Sequence, residues 1–175
     1  MKLRKGTHDA NGLRFGIVVS KFNKFVTSRL LAAAVDTLKK AGAIEDEIEV
    51  VRVPGAFEIP LAARTLAHTG GFNAIICLGA VIRGETPHFD YISAEAGRGI
   101  AQVALECDLP MVFGVLTTNT VAQAIERADP SKHNRGAEAA RTAIEMATLL
   151  RELKASANRG RETTRAKNSK SSRVR

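Results

Sequence analysis

The run GETPH at residues 84–88 combines an anion-binding pattern with a titratable side chain. It follows an apolar run and opens a segment with helical periodicity, in which Thr86 is predicted to cap the helix and Pro87 to occupy its first turn. Backbone N–H groups at a helix start have no partners within the helix and attract anions. His88 adds an imidazole, a group that titrates near neutral pH, within one turn of that anion. Phosphate recognition beside a proton-transfer group indicates an enzyme more than a passive binder.

Other apolar runs also end in glycine, hydroxyl, aromatic or charged residues, at residues 20–23, 54–58 and 117–120. Ligands of open parallel sheets bind at the carboxyl ends of the strands, so we expect these segments to converge with the GETPH run. Together they predict one small-molecule site with a phosphate pocket, an aromatic wall and a carboxylate. Phe22 is the candidate for stacking on a ring. Glu58 is interpreted either as an acceptor for ligand hydroxyls or as an acid favoured by the helix dipole.

Hydrophobic periodicity places these segments between alternating strands and helices. Strands are predicted over residues 15–20, 48–53, 74–82 and 111–116. Helices are predicted over residues 24–41, 58–68, 87–106, 120–127 and 136–153. The strands are apolar on both faces, which is typical of a parallel sheet covered by helices on each side. The predicted fold is therefore α/β: a flavodoxin-like, three-layer α/β/α sandwich with a four-stranded parallel sheet.

The composition agrees with one folded domain over residues 1–153. Hydrophobic residues make up 45% of the 175-residue chain, which is enough for a complete core. No apolar run reaches the roughly 20 residues that cross a bilayer, and we see no secretion signal, so a cytoplasmic protein without a membrane partner is expected. Cys77 and Cys107 lie in apolar patterns and are interpreted as buried free thiols. The four histidines show no metal-ligand spacing.

The positive charge of the chain is concentrated at its C-terminus. Residues 154–175 carry eight Lys/Arg and one Glu, a net charge of +7 out of the total of +8. Few apolar residues occur there, so this segment is predicted to be a disordered basic tail. It is interpreted either as a solvated extension or as an arm for nucleic acid or another polyanion. The lack of interleaved aromatic residues favours the solvated extension.

Four motifs occur in order along the chain: PGAFE at residues 54–58, GAVIRGETPHFDY at 79–91, FGVLT at 113–117 and QAIERA at 123–128. On these motifs, residues 13–153 resemble the lumazine synthase family. The resemblance implies condensation of 5-amino-6-(D-ribitylamino)uracil with (S)-3,4-dihydroxy-2-butanone 4-phosphate to 6,7-dimethyl-8-ribityllumazine, the penultimate step of riboflavin biosynthesis. It implies a transferase that needs neither a cofactor nor a metal.

The resemblance also implies roles for single residues at the pyrimidine substrate. Phe22 stacks on the pyrimidine ring, and Glu58 holds hydroxyls of the ribityl chain. The backbone of residues 80–82 reads the polar edge of the ring. The residues implied to bind this substrate are Phe22, Ala56, Phe57, Glu58, Ala80, Val81 and Ile82.

The phosphorylated ketone is implied to bind at the GETPH run. Glu85 and Thr86 present the phosphate cradle, and His88 shuttles protons as the catalytic residue. Phe113 and Arg127 are implied to come from the neighbouring subunit, where Arg127 neutralises the phosphate. One chain is therefore expected to carry only part of each site.

A site shared between chains implies a homopentamer, and some family members pack twelve pentamers into an icosahedral shell. The loop DPSKHN at residues 129–134 has the length that permits a shell. The usual family lysine aligns with Ser131, so Lys132 and Arg135 are the nearby cations. Riboflavin synthase is a further implied partner. Two alternatives stay open: a relative that binds lumazine or flavin without making it, and a shell-forming particle whose basic tail binds polyanions.

Overall fold

The computed structural model of the chain describes residues 1–171, with the side chains of residues 1–157. Its strands are β1 (Phe15–Ser20), β2 (Ile48–Val53), β3 (Ala74–Ile82) and β4 (Met111–Thr118). They form a four-stranded parallel sheet in the order β2-β1-β3-β4. This order is that of a flavodoxin-like sheet, and the predicted α/β fold is confirmed.

Helices cover both faces of the sheet. They are α1 (Lys24–Lys40), α2 (Ile59–His68), α3 (His88–Glu106), α4 (Val121–Arg127) and α5 (Arg135–Ser171), with a 3₁₀ helix at Glu45–Glu47. One apolar core joins the sheet to α1, α4 and α5, and a second core joins it to α2 and α3. The three layers follow from these two cores. None of the helices within residues 1–171 combines the length and apolarity that a membrane span requires.

Alternate residues of the central strands face opposite helical layers. In β1, Ile17 and Val19 belong to the core under α1 and α5, whereas Val18 belongs to the core under α2 and α3. The whole of β1 and the first seven residues of β3 are buried. Burial from both sides explains why these strands occur in the sequence as unbroken apolar runs.

The two edge strands depart from the prediction of strands buried on both faces. Most of β2 is partly or fully exposed, and β4 exposes Phe113 and Thr117. β4 also continues beyond its predicted end at residue 116, because it pairs with β3 as far as the Ile82–Thr118 pair. The predicted bounds of the other three strands are confirmed.

The helix after the GETPH run begins at His88, and Thr86 does not cap it. Pro87 occupies the cap position with φ −63° and ψ −4°, and no side-chain cap hydrogen bond forms there. Because the proline ring holds φ in the helical range, the chain enters the helix directly after it, and Thr86 lies one residue too early. The predicted cap is wrong, and Thr86 lines the cavity described below.

The last helix runs past its predicted end at residue 153. α5 continues to Ser171, because the residues after Leu153 include many helix-forming Ala, Lys and Arg and no proline. Lys154 connects α5 to the turn before β4. Its Nζ lies 2.9 Å from Asp108 Oδ2 and donates to the Asp108 carbonyl at 3.0 Å. The division of the chain into a domain and a basic tail stays a prediction, and residues 172–175 lie outside the described residues.

Both cysteines are free thiols, as predicted. Cys77 is buried in β3, and burial raises the pKa of its thiol to about 12. Cys107, at the end of α3, is only half-buried. The Cys77 thiol therefore behaves as a small apolar side chain of the core, whereas the Cys107 thiol is the more accessible of the two.

Gly136 allows α1 and α5 to touch through their backbones, and its replacement tests that contact. A Cβ atom here would lie 2.1 Å from the carbonyl oxygen of Leu30. We expect Gly136→Ala to lower the free energy of unfolding by about 3 kcal/mol, because the two helices must move apart. Gly97→Ala is the matched control, since its Cβ would meet Phe113 at an ordinary 3.8 Å. Chemical denaturation measures both variants, and equal stabilities would contradict the backbone contact.

Candidate active site

The carboxyl ends of β2, β1 and β3 enclose a cavity of about 710 Å³, here called the strand-end cavity. It lies at the edge of the sheet where such folds bind ligands, and its volume is typical of small-molecule sites. Of the residues singled out in the sequence, those that line it are Phe22, Ala56, Phe57, Glu58, Ala80, Val81, Ile82, Thr86 and His88. The remaining lining residues are Pro54, Gly55, Gly84, Phe89 and Ile92.

Hydrogen bonds beyond the strands tie the loops of this cavity together. The Phe22 N–H donates to the Pro54 carbonyl at 3.0 Å, so the pairing of β1 with β2 continues into the rim of the cavity. Asn23 follows with a left-handed backbone, φ 54°, and its Nδ2 donates to the Ala80 carbonyl at 2.8 Å. Asparagine tolerates this conformation better than most residues. The chain can therefore turn sharply into α1 and leave Phe22 at the cavity.

Two exposed phenylalanines form the apolar wall of the strand-end cavity. The exposed fractions of Phe22 and Phe57 are 70% and 56%, whereas the neighbouring Ala56 and Ala80 are buried. An aromatic side chain held on a hydrogen-bonded loop and open on one side can stack on a planar ring. The wall therefore suits a flat heteroaromatic ligand.

Glu58 turns back onto its own loop. Its Oε2 accepts a hydrogen bond from the Gly55 N–H at 2.9 Å, and α2 begins at the next residue. Its Oε1 makes no hydrogen bond to the described residues. The bond to Gly55 holds the carboxylate at the cavity lining, where the second oxygen can accept a hydrogen bond from a ligand hydroxyl.

An arginine clamp closes the loop that carries residues 84–88. The Arg83 guanidinium follows β3 and bonds twice to Asp90 in the first turn of α3, Nη1 to Oδ2 at 3.1 Å and Nη2 to Oδ1 at 2.8 Å. It lies 4.1 Å from the centroid of the Phe89 ring, and its Nε donates to Asn119 Oδ1 at 3.1 Å. We call Arg83, Asp90 and Asn119 the loop clamp.

The charges of Arg83 and Asp90 in the loop clamp neutralise each other. The hydrogen bonds from Arg83 hold the pKa of Asp90 below its usual value, and the same bonds raise the pKa of Arg83. Arg83 does not line the strand-end cavity, whose described lining contains Glu58 and His88 but no Lys or Arg. A phosphate at this loop would therefore meet an imidazole and a helix start, without a cationic side chain from the cavity lining.

Phe113 and Arg127 lie at a second cavity of about 650 Å³, here called the β4 cavity, which Arg135 and Met146 also line. It shares no lining residue with the strand-end cavity. The exposed fraction of Phe113 is 46%. Arg127 Nη1 donates to the Gln123 carbonyl at 3.2 Å, and none of the carboxylates within the described side chains forms an ion pair with this arginine. The β4 cavity thus offers an aromatic ring beside an arginine without a carboxylate partner.

A capping pair fixes the start of α4, the helix that carries Arg127. The Thr120 hydroxyl accepts from the Gln123 N–H at 3.2 Å, and Gln123 Oε1 accepts from the Asn119 N–H at 2.9 Å. Asn119 is also a member of the loop clamp. A continuous set of hydrogen bonds therefore links the start of α3 to α4.

The sequence model of the 6,7-dimethyl-8-ribityllumazine synthase family matches residues 12–151. The chain belongs to this family. Two curated relatives, each a 6,7-dimethyl-8-ribityllumazine synthase from a strain of Clostridium kluyveri, are 54% identical to it over 153 residues. The matched region covers 87% of this chain and 99% of each relative. The predicted resemblance to lumazine synthases is confirmed.

The site residues implied by the lumazine synthase resemblance fall into two places in this chain. Most of them meet in the strand-end cavity. Glu85 belongs to the same loop, between the lining residues Gly84 and Thr86, but does not itself line the cavity. Phe113 and Arg127 lie at the β4 cavity. The catalytic and binding roles of all these residues stay predictions.

The sequence placed Asn23 and Asn119 in segments expected at the site, but it did not predict the hydrogen bonds made there by Asn23, Arg83, Asp90 and Asn119. Arg83 and Asp90 lie at a strand end and in a helix start, so neither the strand period nor the helix period pairs them. Asn23 did carry a usable signal, because an asparagine directly after a strand tolerates the left-handed turn that starts α1. Contacts between loops were the hardest part of the site to foresee.

We expect the loop clamp to persist at neutral and mildly acidic pH. Because the folded-state pKa of Asp90 is lowered, its contribution to stability is complete above the ordinary value of about 4 and is lost as the pH falls through the lowered pKa. Carbon-13 NMR titration of the Asp90 carboxyl should give a midpoint below about 4 that rises in Arg83→Met. An identical midpoint in both proteins would show that the pair does not form in solution.

Proposed function

We propose that this chain condenses 5-amino-6-(D-ribitylamino)uracil with (S)-3,4-dihydroxy-2-butanone 4-phosphate to give 6,7-dimethyl-8-ribityllumazine, the penultimate step of riboflavin biosynthesis. The observation that carries the proposal is the meeting of Phe22, Glu58 and His88 in one cavity of a lumazine synthase family member. The reaction needs a surface for a planar ring, an acceptor for the hydroxyls of a ribityl chain and a group that moves protons. These three residues supply them.

The pyrimidine substrate fits the strand-end cavity, with its ring at the apolar wall and its ribityl chain at the loop after β2. Its ring stacks on Phe22, and its ribityl chain runs along residues 56–58, where Glu58 accepts hydrogen bonds from the hydroxyls. Backbone groups of residues 80–82 bind the polar edge of the ring. This pose directs the reacting amine toward the loop at residues 84–88, where the ketone binds. Orientation of two reactants in one cavity can remove several kcal/mol from the barrier.

His88 moves the protons of the reaction. The amine adds to the ketone carbonyl, and a proton delivered to the carbinol oxygen releases water and leaves a Schiff base. Removal of a proton from the adjacent carbon expels phosphate and leaves an enol, which tautomerises to a carbonyl. The ribitylamino nitrogen attacks this carbonyl, and loss of a second water closes the ring. An imidazole has acid and base forms near neutral pH, so one side chain can serve each transfer.

The cation for the phosphate is proposed to come from a neighbouring chain. No Lys or Arg is present in the described lining of the strand-end cavity, and the charge of Arg83 is neutralised by Asp90. Arg127 and Phe113 line the separate β4 cavity. If the β4 cavity of one chain meets the strand-end cavity of the next, each site gains an arginine and a second aromatic ring. A contact between two different patches is heterologous, the type that closes into rings.

The assembly proposed for this ring is a homopentamer, alone or as one of twelve pentamers in a shell. Lys132 pairs with Glu126 and Arg135 pairs with Glu138, so both cations already have a carboxylate partner. Arg135 is proposed as the second cation only because it lines the β4 cavity together with Arg127. A cytoplasmic location and association with riboflavin synthase, which would consume the product, belong to the same proposal. The basic residues 154–175 lie beyond the family match and take no part in the proposed reaction.

The first test is turnover by the intact chain and by His88→Ala. Mixing both substrates with the intact chain should produce lumazine fluorescence above the uncatalysed rate, and a protein that only binds lumazine or flavin would not do this. We expect His88→Ala to lower kcat by about 100-fold, because proton transfer loses its carrier. His8→Ala, which changes an exposed histidine outside the cavity, is the control. Wild-type turnover in His88→Ala would remove this residue from the mechanism.

The second test is complementation between His88→Ala and Arg127→Ala. In a mixed ring with equal numbers of both chains, about a quarter of the sites would combine an intact His88 with an intact Arg127. Coexpressed chains should therefore recover about a quarter of wild-type activity at low ketone phosphate, whereas each variant alone stays nearly inactive. Light scattering should give five or sixty times the chain mass of 18.8 kDa. A mixture no more active than its two components would place the whole site in one chain.

A further inference from the structure

The loop clamp encloses the segment on which the proposed chemistry depends. Arg83 and Asp90 stand at the two ends of residues 84–89, and the two hydrogen bonds between them hold these ends together. Phe89, which lines the strand-end cavity, packs against the face of the same guanidinium. The position of the loop relative to the cavity therefore depends on the geometry of one arginine side chain.

Further contacts fix the arginine itself. The backbone N–H of Arg83 donates to the Thr118 carbonyl at 2.8 Å, which continues the pairing of β3 with β4 by one residue. Its Nε reaches Asn119, whose own N–H is held by the capping pair of α4. Both the backbone and the side chain of Arg83 are thus anchored to the rigid end of the sheet, and Asp90 is the part that it holds in place.

We propose that Arg83 is a positioning residue for the condensation, which sets the placement of the phosphate loop and of His88 through its two-pronged bond to Asp90. The proposal rests on the proposed function of the strand-end cavity. Arg83 touches neither substrate. It acts by keeping the loop at residues 84–88 closed against the cavity, so that the phosphate site and the imidazole hold one geometry through the reaction.

The geometry favours positioning over direct phosphate binding. A phosphate ligand would need guanidinium N–H groups directed into the cavity, but Arg83 does not line it. Three of its donors are already used, two by Asp90 and one by Asn119. Arg83 makes two parallel hydrogen bonds to Asp90 and stacks its planar guanidinium on Phe89. A lysine ammonium cannot reproduce this arrangement.

The solvent exposure of the Arg83–Asp90 ion pair allows a positioning role to be distinguished from a general contribution to stability. The side chains of Arg83 and Asp90 retain 42% and 59% of their accessible surface. Exposed ion pairs contribute little to the unfolding free energy. Removal of the clamp should therefore leave the thermal midpoint nearly unchanged while it releases the loop.

The experiment compares Arg83→Met, Arg83→Lys and Asp90→Asn with the intact chain in steady-state turnover. We expect all three to raise KM for the phosphorylated ketone about tenfold and to lower kcat, with KM for the pyrimidine within about twofold of wild type. Arg98→Met is the control, because Arg98 forms a comparable exposed pair with Glu95 on the same helix. It should match the intact chain in every constant.

The variants are compared in their kinetic constants, in their thermal midpoints and in hydrogen exchange. If Asp90→Asn retains wild-type constants while Arg83→Met does not, or if Arg83→Lys retains them, the two-pronged positioning role is wrong. Equal losses for both substrates together with a lower thermal midpoint would also overturn it. Hydrogen exchange gives an answer that does not depend on turnover: residues 84–89 should exchange faster in Arg83→Met and Asp90→Asn, and unchanged exchange would sink the proposal. Lack of turnover by the intact chain would count against the proposed function alone.

Discussion

The parallel pairing of β1 with both β2 and β3 is the constraint on which the rest of this molecule depends. Ser20 pairs with Val53 and Val19 pairs with Leu78, so the loops after β1 and β2 leave the sheet side by side and adjoin the last residues of β3. The hydrogen bonds made by Phe22 and Asn23 carry that register into the loops. Because side chains alternate between faces, a slip of one residue would reverse the side chains of a whole strand. The geometry of the strand-end cavity is therefore set by the register of the apolar core strands.

Most of the scaffold could be predicted from the sequence, because buried parallel strands appear as unbroken apolar runs and the helices between them show one apolar face. The bounds of β1, β2 and β3 agree with prediction for this reason. The predictions of a helix cap and of a helix end were wrong where another feature of the chain overrode a local sequence rule. Pro87 displaced Thr86 from the helix cap, and the composition of the basic segment did not end α5 at residue 153. The loop clamp was not foreseeable, since only the folded loop brings Arg83 and Asp90 together.

The candidate site is divided by charge as well as by position. The strand-end cavity contributes an aromatic wall, one carboxylate and one imidazole, whereas the β4 cavity contributes an arginine beside a phenylalanine. The family resemblance implied this division, because it assigned Phe113 and Arg127 to a neighbouring subunit and the other site residues to one chain. The structure separates them into two cavities, and the reason is topological: β4 lies at the edge of the sheet, so its outer side faces away from the ends of β1 and β2.

The contact between Lys154 and Asp108 has a practical consequence for the C-terminal end of the chain. Asp108 precedes β4, so this contact lies at the amino edge of the sheet, opposite the strand-end cavity. α5 runs back along the domain from the β4 cavity to that edge and continues to Ser171. The part of α5 that follows Lys154 therefore leaves the domain on the side away from the strand-end cavity. A group attached to this part of α5 would therefore leave the mouth of the strand-end cavity open.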